Sequence, residues 1–401
     1  MGFLDPLTAL VVAFCFLGVM IYKRVNLGIT LNAAALLLAL LALDLAQIGK
    51  VVFETTTNPL AVSLVFASFG IMLLSLLYKE TKLIEPLSES LSKLVNNSKL
   101  IVGLLPAVIG LLPVAGGALM SAPLVEAETE KLGLKEDMKT YVNLWFRHTI
   151  FPVYPVSIVL ILTASLTGLA LTSIIVRQIP VVIVMVIIGY IIALRKTHET
   201  KRVDIKTNRS AELKRFMITF LPILATIIVV IIFSIDVAIA AFIGVAVILL
   251  IAKPSFKTAV KPFKNWSIWG ITFAAYGAFL LRNVAIEMGI SQVFGAFLTN
   301  GSVDVLILLT LLPAFLGAIT GSPSGGIILT VSILTGFVIF TPRNTSLLYI
   351  SSYLGYITAP THLCLIFTAE YFKCPLGKLY KYLIPSIIVS LATGILVYLL
   401  I

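Results

Sequence analysis

The segment Val305–Pro342 runs for 38 residues without an Asp, Glu, Lys or Arg. As one helix it would measure roughly 57 Å at 1.5 Å per residue, against a hydrocarbon core of about 30 Å. Its middle reads Gly321-Ser322-Pro323-Ser324-Gly325-Gly326, where proline removes a helix donor and glycine favours turns. The segment is expected to fold back as a hairpin and leave on the side it entered.

Shorter uncharged runs flank it: Leu60–Tyr78, Thr149–Val176, Gln178–Leu194, Phe216–Ile235, Val237–Ala252 and Tyr382–Ile401. Only 12% of the chain is charged, about half the usual share in a soluble domain. The runs show no apolar–polar alternation, which points to helices rather than barrel strands. The expected fold is an all-α polytopic membrane protein. Helices are expected at roughly 7–22, 28–47, 59–78, 145–173, 177–194, 216–235, 237–252, 266–288, 345–369 and 382–401, about ten crossings. Met1–Pro6 has no basic run, so the first apolar stretch reads as a retained helix. Cys15, Cys364 and Cys374 have no metal-like spacing and read as apolar filler.

Ile101–Val125 contains Pro106, Pro113, Gly116, Gly117 and Pro123, and the basic residues decide how it runs. If it re-enters and the N-terminus lies outside, the loops 23–26, 79–99, 126–140, 195–215, 253–264 and 370–381 are all cytoplasmic. They then hold 24 of the 29 Lys and Arg, as the positive-inside rule demands. A full crossing separates the charges less cleanly. Both termini are thus expected to be extracytoplasmic, with the chain in the cytoplasmic membrane. The net charge of +11 belongs to this topology and to anionic headgroups, not to nucleic acid.

The two hairpin segments resemble each other at an offset of 200. Leu111-Leu112-Pro113 matches Leu311-Leu312-Pro313, Gly117-Ala118 matches Gly317-Ala318, and Pro123 matches Pro323. At an offset of 205, Pro155 matches Pro360 and Thr163-Ala164 matches Thr368-Ala369. Each half reads three helices, an amphipathic helix, a hairpin, a Pro-broken helix and a last helix. The amphipathic pieces are expected at 84–98 and around Ile290–Leu298, lying flat at the membrane surface. The first repeat would span 1–198, a basic linker 199–215, and the second repeat 216–401. Five crossings per half make the second inverted, the build of many secondary transporters. The return arm after the first hairpin is charged, from Glu126 to Asp137, whereas Ile327–Phe340 is apolar.

Hairpin tips within a membrane must face protein or a water-filled cavity. Gly116, Gly117 and Gly325 let backbone approach a ligand closely, and Ser121, Ser322 and Ser324 add hydroxyls. Helix N-termini at the tips suit an anion, and unwound carbonyls suit Na⁺. The Pro-broken helices contribute Thr358, Thr361 and His362, which can bind substrate or carry a proton. Arg147 suggests an anionic group on the substrate, against the alternative of snorkelling beside Trp145. Ser121, Glu126, His148, Thr320 and Ser322 are the candidates for coupling-ion contacts. Arg282 is expected to snorkel or to pair with Glu287.

On Gly116–Pro123, Thr320–Gly326 and Thr358–His362, and on the repeat order over nearly the whole chain, the sequence resembles the ion transporter superfamily. Within it, the chain looks most like a prokaryotic family named domain of unknown function 401. The resemblance implies a homodimer, a scaffold of early helices in each half, and elevator-like movement of the hairpin-bearing part. Ser322-Pro323-Ser324 stands where sodium/dicarboxylate members carry Ser-Asn-Thr tips, so the resemblance alone assigns neither sodium coupling nor dicarboxylate specificity.

The expected function is secondary transport of a small anion, carboxylate-like or inorganic, coupled to Na⁺ or H⁺. The alternative is transport or flipping of an amphiphile or lipid phosphate. No resident cofactor is expected beyond a coupling Na⁺. The sequence has no nucleotide-binding loop, no His-Glu-x-x-His and no Gly-x-Ser-x-Gly, which argues against direct ATP drive and against an intramembrane enzyme.

Overall fold

A computed structural model describes residues 3–23, 25–112, 117–195, 197, 208–289, 304–335 and 338–401. Its helices, in chain order, begin with α1 Pro6–Tyr22, α2 Leu27–Ala42, α3 Leu45–Thr57, α4 Pro59–Glu80, α5 Ile84–Leu94, α6 Ser98–Gly110 and α7 Gly117–Glu130. Next come α8 Glu136–Thr149, a 3-10 turn at Phe151–Val153, α9 Ile158–Thr167, α10 Leu171–Ala193, α11 Arg209–Ile231, α12 Val237–Ala252, α13 Phe256–Val260 and α14 Trp266–Glu287. The last are α15 Val305–Thr320, α16 Pro323–Leu334, α17 Pro342–Thr358, α18 Leu363–Tyr371 and α19 Leu376–Leu400. No strand occurs among the described residues. Among the described residues, six stretches are long and apolar enough to cross a membrane: α4, the broken stretch Glu136–Thr167, α10, α11, α14 and α19. The chain is a multi-pass helical membrane protein.

Helix ends follow local chemistry. Asp5, Asn97, Asp236 and Asp304 each accept an amide hydrogen bond at a helix start. Asp44 and Gln47 form a reciprocal capping box. That box divides the expected helix 28–47 in two and opens α3. This amphipathic helix escaped the sequence reading because its polar residues do not resemble a crossing.

The break in the long uncharged segment is tighter than expected. α15 ends at Thr320, Gly321 adopts a left-handed φ of 60°, and Ser322 caps α16. Proline suits the first position of a helix, so Pro323 starts α16 and leaves Ser324, Gly325 and Gly326 in its first turn. α15 and α16 pack on each other, as do α6 and α7.

Among the described residues, five helices late in the second half follow the order of five in the first. Helices α6 to α10 begin at residues 98, 117, 136, 158 and 171, and α15 to α19 begin at 305, 323, 342, 363 and 376. The offset is therefore 205–207 throughout. The residue matches at an offset of 200 fall out of this register: Pro123 lies inside α7, whereas Pro323 opens α16. The matches at 205 fall within it.

The chain forms two compact units, each drawing on both sequence halves. The first contains residues 1–70, 158–174 and 265–359. In it α2 packs along α14. Gly28 lies so close to α14 that a Cβ there would stand 2.5 Å from the Gly270 carbonyl oxygen. Asn32 donates from Nδ2 to the Phe273 carbonyl at 2.9 Å, a polar contact between helices of the kind that holds membrane bundles. Lys50 Nζ pairs with Glu287 at 3.0 Å and Asn283 Nδ2 donates to Thr55 Oγ1 at 2.9 Å. Glu287 thus serves α3 rather than Arg282, whose Nη1 reaches Asn283 Oδ1 at 3.3 Å. α15 interlocks with α17, and α16 packs on α9.

The second unit contains residues 71–157, 175–264 and 360–401. Its α5 buries Ile84, Leu87 and Leu91, and packs on α6 and α11. The amphipathic helix therefore ends at Leu94, short of the expected 98, and its apolar face is covered by protein. Val95, Val108, Leu124 and Phe216 extend this core. The counterpart expected around Ile290–Leu298 lies outside the described residues, as do Gly116 and most of the basic linker. α7 and α8 pack on α18. In each unit, then, a helical pair from one half of the sequence holds the half-helix that follows the Pro break of the other.

Candidate functional site

The described sequence-predicted residues divide between the two units. In the first unit, Ser322 and Ser324 line a cavity of about 50 Å³ together with Ser68. The rest of the lining is apolar, including Leu64, Leu162 and Ile328. Ser322 is committed to local structure, since its Oγ accepts from Gly325 N–H at 3.3 Å. Thr320 Oγ1 donates to the Ser322 carbonyl at 2.9 Å, fixing the turn. Gly325 sits under Thr320, leaving a Cβ only 3.0 Å from the threonine Oγ1. Ser68 is 1% exposed, and its Oγ has no hydrogen-bond partner among the described residues. Sequence reasoning passed over Ser68, one serine in an apolar helix. The cavity admits water or a bare ion, whereas pockets for drug-sized ligands run from about 300 Å³ upward. Thr358, at the end of α17, returns its hydroxyl to the Gly355 carbonyl at 2.6 Å.

In the second unit the polar groups gather at two helix breaks. α8 stops at Thr149, and Pro152 and Pro155 follow. α18 starts after a break at Ala359–His362. Both interruptions lie where the prolines place them. Ser121 is not at a tip but within α7, fully buried. It donates to Asn143 Oδ1 at 2.7 Å. Asn143 Nδ2 in turn reaches the Ala118 carbonyl at 3.0 Å and Thr368 Oγ1 at 3.2 Å. Asn143 thus ties α7, α8 and α18 together. The signal that could have found it is an amide within a stretch otherwise fit to cross a membrane. Gly117 opens α7, and Thr361 is exposed. Glu126 accepts from Tyr371 Oη at 2.8 Å.

Arg147 is the exceptional cation. It is 3% exposed, so it does not snorkel beside Trp145, whose Nε1 donates instead to the Met185 carbonyl at 2.9 Å. Its Nη2 reaches the Leu112 carbonyl only at 3.5 Å. Its Nη1 has no hydrogen-bond partner among the described residues, and no carboxylate among them pairs with it. The neighbouring His148 is 2% exposed and meets His362 edge-on, with ring centroids 4.8 Å apart. Cys364 joins them: one ligand atom from each of His148, His362 and Cys364 lies within 4.8 Å of the others.

Comparison with curated proteins finds no match. The sequence model of one family, described as protein of unknown function (DUF401), matches residues 6–401. The chain therefore belongs to the DUF401 family.

Proposed function

We propose that the protein is a secondary active transporter for a small anion in the cytoplasmic membrane, coupled to Na⁺ or H⁺. Arg147 carries this reading. A buried cation without a counter-charge is costly, and within membrane helices such residues mark substrate and ion pathways. An anionic solute would supply the missing partner, and a guanidinium recognises carboxylates and oxyanions through paired hydrogen bonds.

The repeat supports the transport class. Helix starts recur at an offset of 205–207, and each half contains a helical pair followed by a Pro-broken helix. In this reading the pairs α6–α7 and α15–α16 are re-entrant hairpins, and ten further segments cross the membrane. The halves are inverted repeats with both termini outside, as in carriers that bind substrate at interrupted helices. Membership of the ion transporter superfamily, a homodimer and elevator-like movement complete the proposal. The small volume beside Ser322 and Ser324 suits the coupling ion or water better than an organic solute.

The test is uptake into proteoliposomes under an imposed Na⁺ or proton gradient, with a panel of labelled carboxylates and inorganic oxyanions. Gradient-driven uptake of one class is expected, reduced at least tenfold in Arg147→Gln. Uptake of an anion that survives this change unaltered would remove Arg147 from the site. Movement of a labelled phospholipid, with no anion uptake, would favour an amphiphile carrier instead.

A further inference from the structure

The chain contains three histidines and three cysteines. Two of those histidines and one of those cysteines converge at the junction of α8 and α18 within one compact unit. His148 is the penultimate residue of α8, His362 is the residue before α18, and Cys364 lies in its first turn. The elements are held together independently of these side chains, through the hydrogen bond between Asn143 and Thr368. Convergence is therefore a property of the fold.

We infer that His148, His362 and Cys364 form a binding site for a thiophilic transition-metal ion, with Zn²⁺ the best fit. Two imidazoles and one thiolate are borderline-soft donors, suited to zinc or copper rather than to Na⁺, Mg²⁺ or Ca²⁺. His148 is arranged as metal-bound histidines are. Its Nδ1 lies 2.7 Å from the Leu144 carbonyl. A carbonyl only accepts, so Nδ1 carries the proton and Nε2 presents its lone pair. A backbone carbonyl fixing the tautomer of a ligating histidine is a recurrent second layer of metal sites.

The ligand atoms fall within 4.8 Å of one another. Tetrahedral zinc, with bonds of about 2.0–2.3 Å, needs separations of about 3.3–3.6 Å. Contraction by little more than 1 Å closes the site. Cys364 is only half-buried, leaving a route of entry. It binds as thiolate, releasing its proton on coordination, and offsets one charge of the metal. Arg147, one residue before His148, reaches towards Leu112. Three protein ligands leave a fourth position for water or an anion. A bound ion would fasten the last turn of α8 to the first turn of α18.

The test uses the tag-free full chain, purified with a thiol-free reductant and reconstituted in nanodiscs. Zn²⁺ affinity is measured by competition with a chromophoric chelator. One Zn²⁺ per chain is expected, weakened at least tenfold in both His362→Gln and Cys364→Ser and unchanged in Cys15→Ser and Cys374→Ser. Co²⁺ replaces Zn²⁺ as a spectroscopic probe of the unaltered protein and needs no variant to fold. A thiolate-to-cobalt charge-transfer band at one equivalent is expected. Absence of stoichiometric Zn²⁺ binding, a one-to-one cobalt complex without that band, or unchanged affinity in both ligand variants would each overturn the assignment.

Discussion

Asn143 accepts a hydrogen bond from the Ser121 hydroxyl at 2.7 Å in a fully buried setting. The same amide donates to the Ala118 carbonyl and to Thr368. Replacing it with leucine keeps the volume near but removes all three hydrogen bonds, leaving Ser121 only its longer bond to the Ala118 carbonyl at 3.2 Å. A buried group without its partner costs about 1–3 kcal/mol. Asn143→Leu is expected to lower the thermal midpoint in detergent clearly, with Asn143→Gln intermediate. Equal midpoints for Asn143→Leu and the parent would show that the junction contributes nothing.

Gly355 and Gly317 bring α15 against α17. A Cβ on Gly355 would collide with the Ala314 carbonyl, and one on Gly317 with the Ser352 carbonyl. Backbone atoms cannot swing aside, so the helices must part. Gly355→Ala is expected to destabilise by about 1–3 kcal/mol, the usual cost of overpacking. Gly18 has nothing within 4 Å of its Cβ position. Gly18→Ala should therefore be neutral or stabilising, since alanine is the better helix former by up to about 1 kcal/mol. Chemical unfolding followed by circular dichroism separates the two outcomes.

Much of this packing lies beyond what a sequence discloses. The break at Gly321-Ser322-Pro323 was legible, because proline and glycine act through their own backbone. So were the interruptions after Thr149 and before Leu363. The register of the repeat was legible only in part. Pro155 and Pro360 share the offset at which α9 and α18 start, while Pro123 and Pro323, chemically identical, lie at unlike positions in their helices. The start of α3 was written in Asp44 and Gln47, yet apolar periodicity alone does not see a capping box. The grouping of His148 with His362 and Cys364 depends on how α8 meets α18, across more than two hundred residues. No local rule supplies that distance. Arg147 was legible as a candidate, but its burial and the lack of a carboxylate partner among the described residues were not.

The pair formed by Lys50 and Glu287 makes a pH prediction. The hydrogen bond to Glu287, then the charges of Glu287 and Glu54, raise the Lys50 ammonium above its ordinary value of 10.5. A raised folded-state value means that the stabilisation is complete below the unfolded value and is lost as pH climbs through the folded one. The difference in thermal midpoint between the parent and Lys50→Met should stay constant to about pH 10 and shrink above it. Because the lysine is exposed, the difference should be small and should also fall with added salt. A gap that persists in strong alkali would assign the effect to packing of the lysine stem.

Ser68 and Ser324 face one small cavity, and their exchange separates packing from function. Ser68 buries a hydroxyl without a partner among the described residues, which is destabilising unless water or an ion occupies the space. Ser68→Ala removes that cost and should leave the protein as stable as the parent or more so. If the cavity serves the coupling ion, uptake in proteoliposomes should fall several-fold in the same variant despite its stability. Ser324→Trp fills the space outright and should abolish uptake, with folding checked by thermal unfolding. A stable Ser68→Ala protein that transports at the parental rate would reduce the cavity to a packing defect. Transport preserved in Ser324→Trp would remove the α15–α16 turn from the transport path, while leaving the reading of Arg147 to its own test.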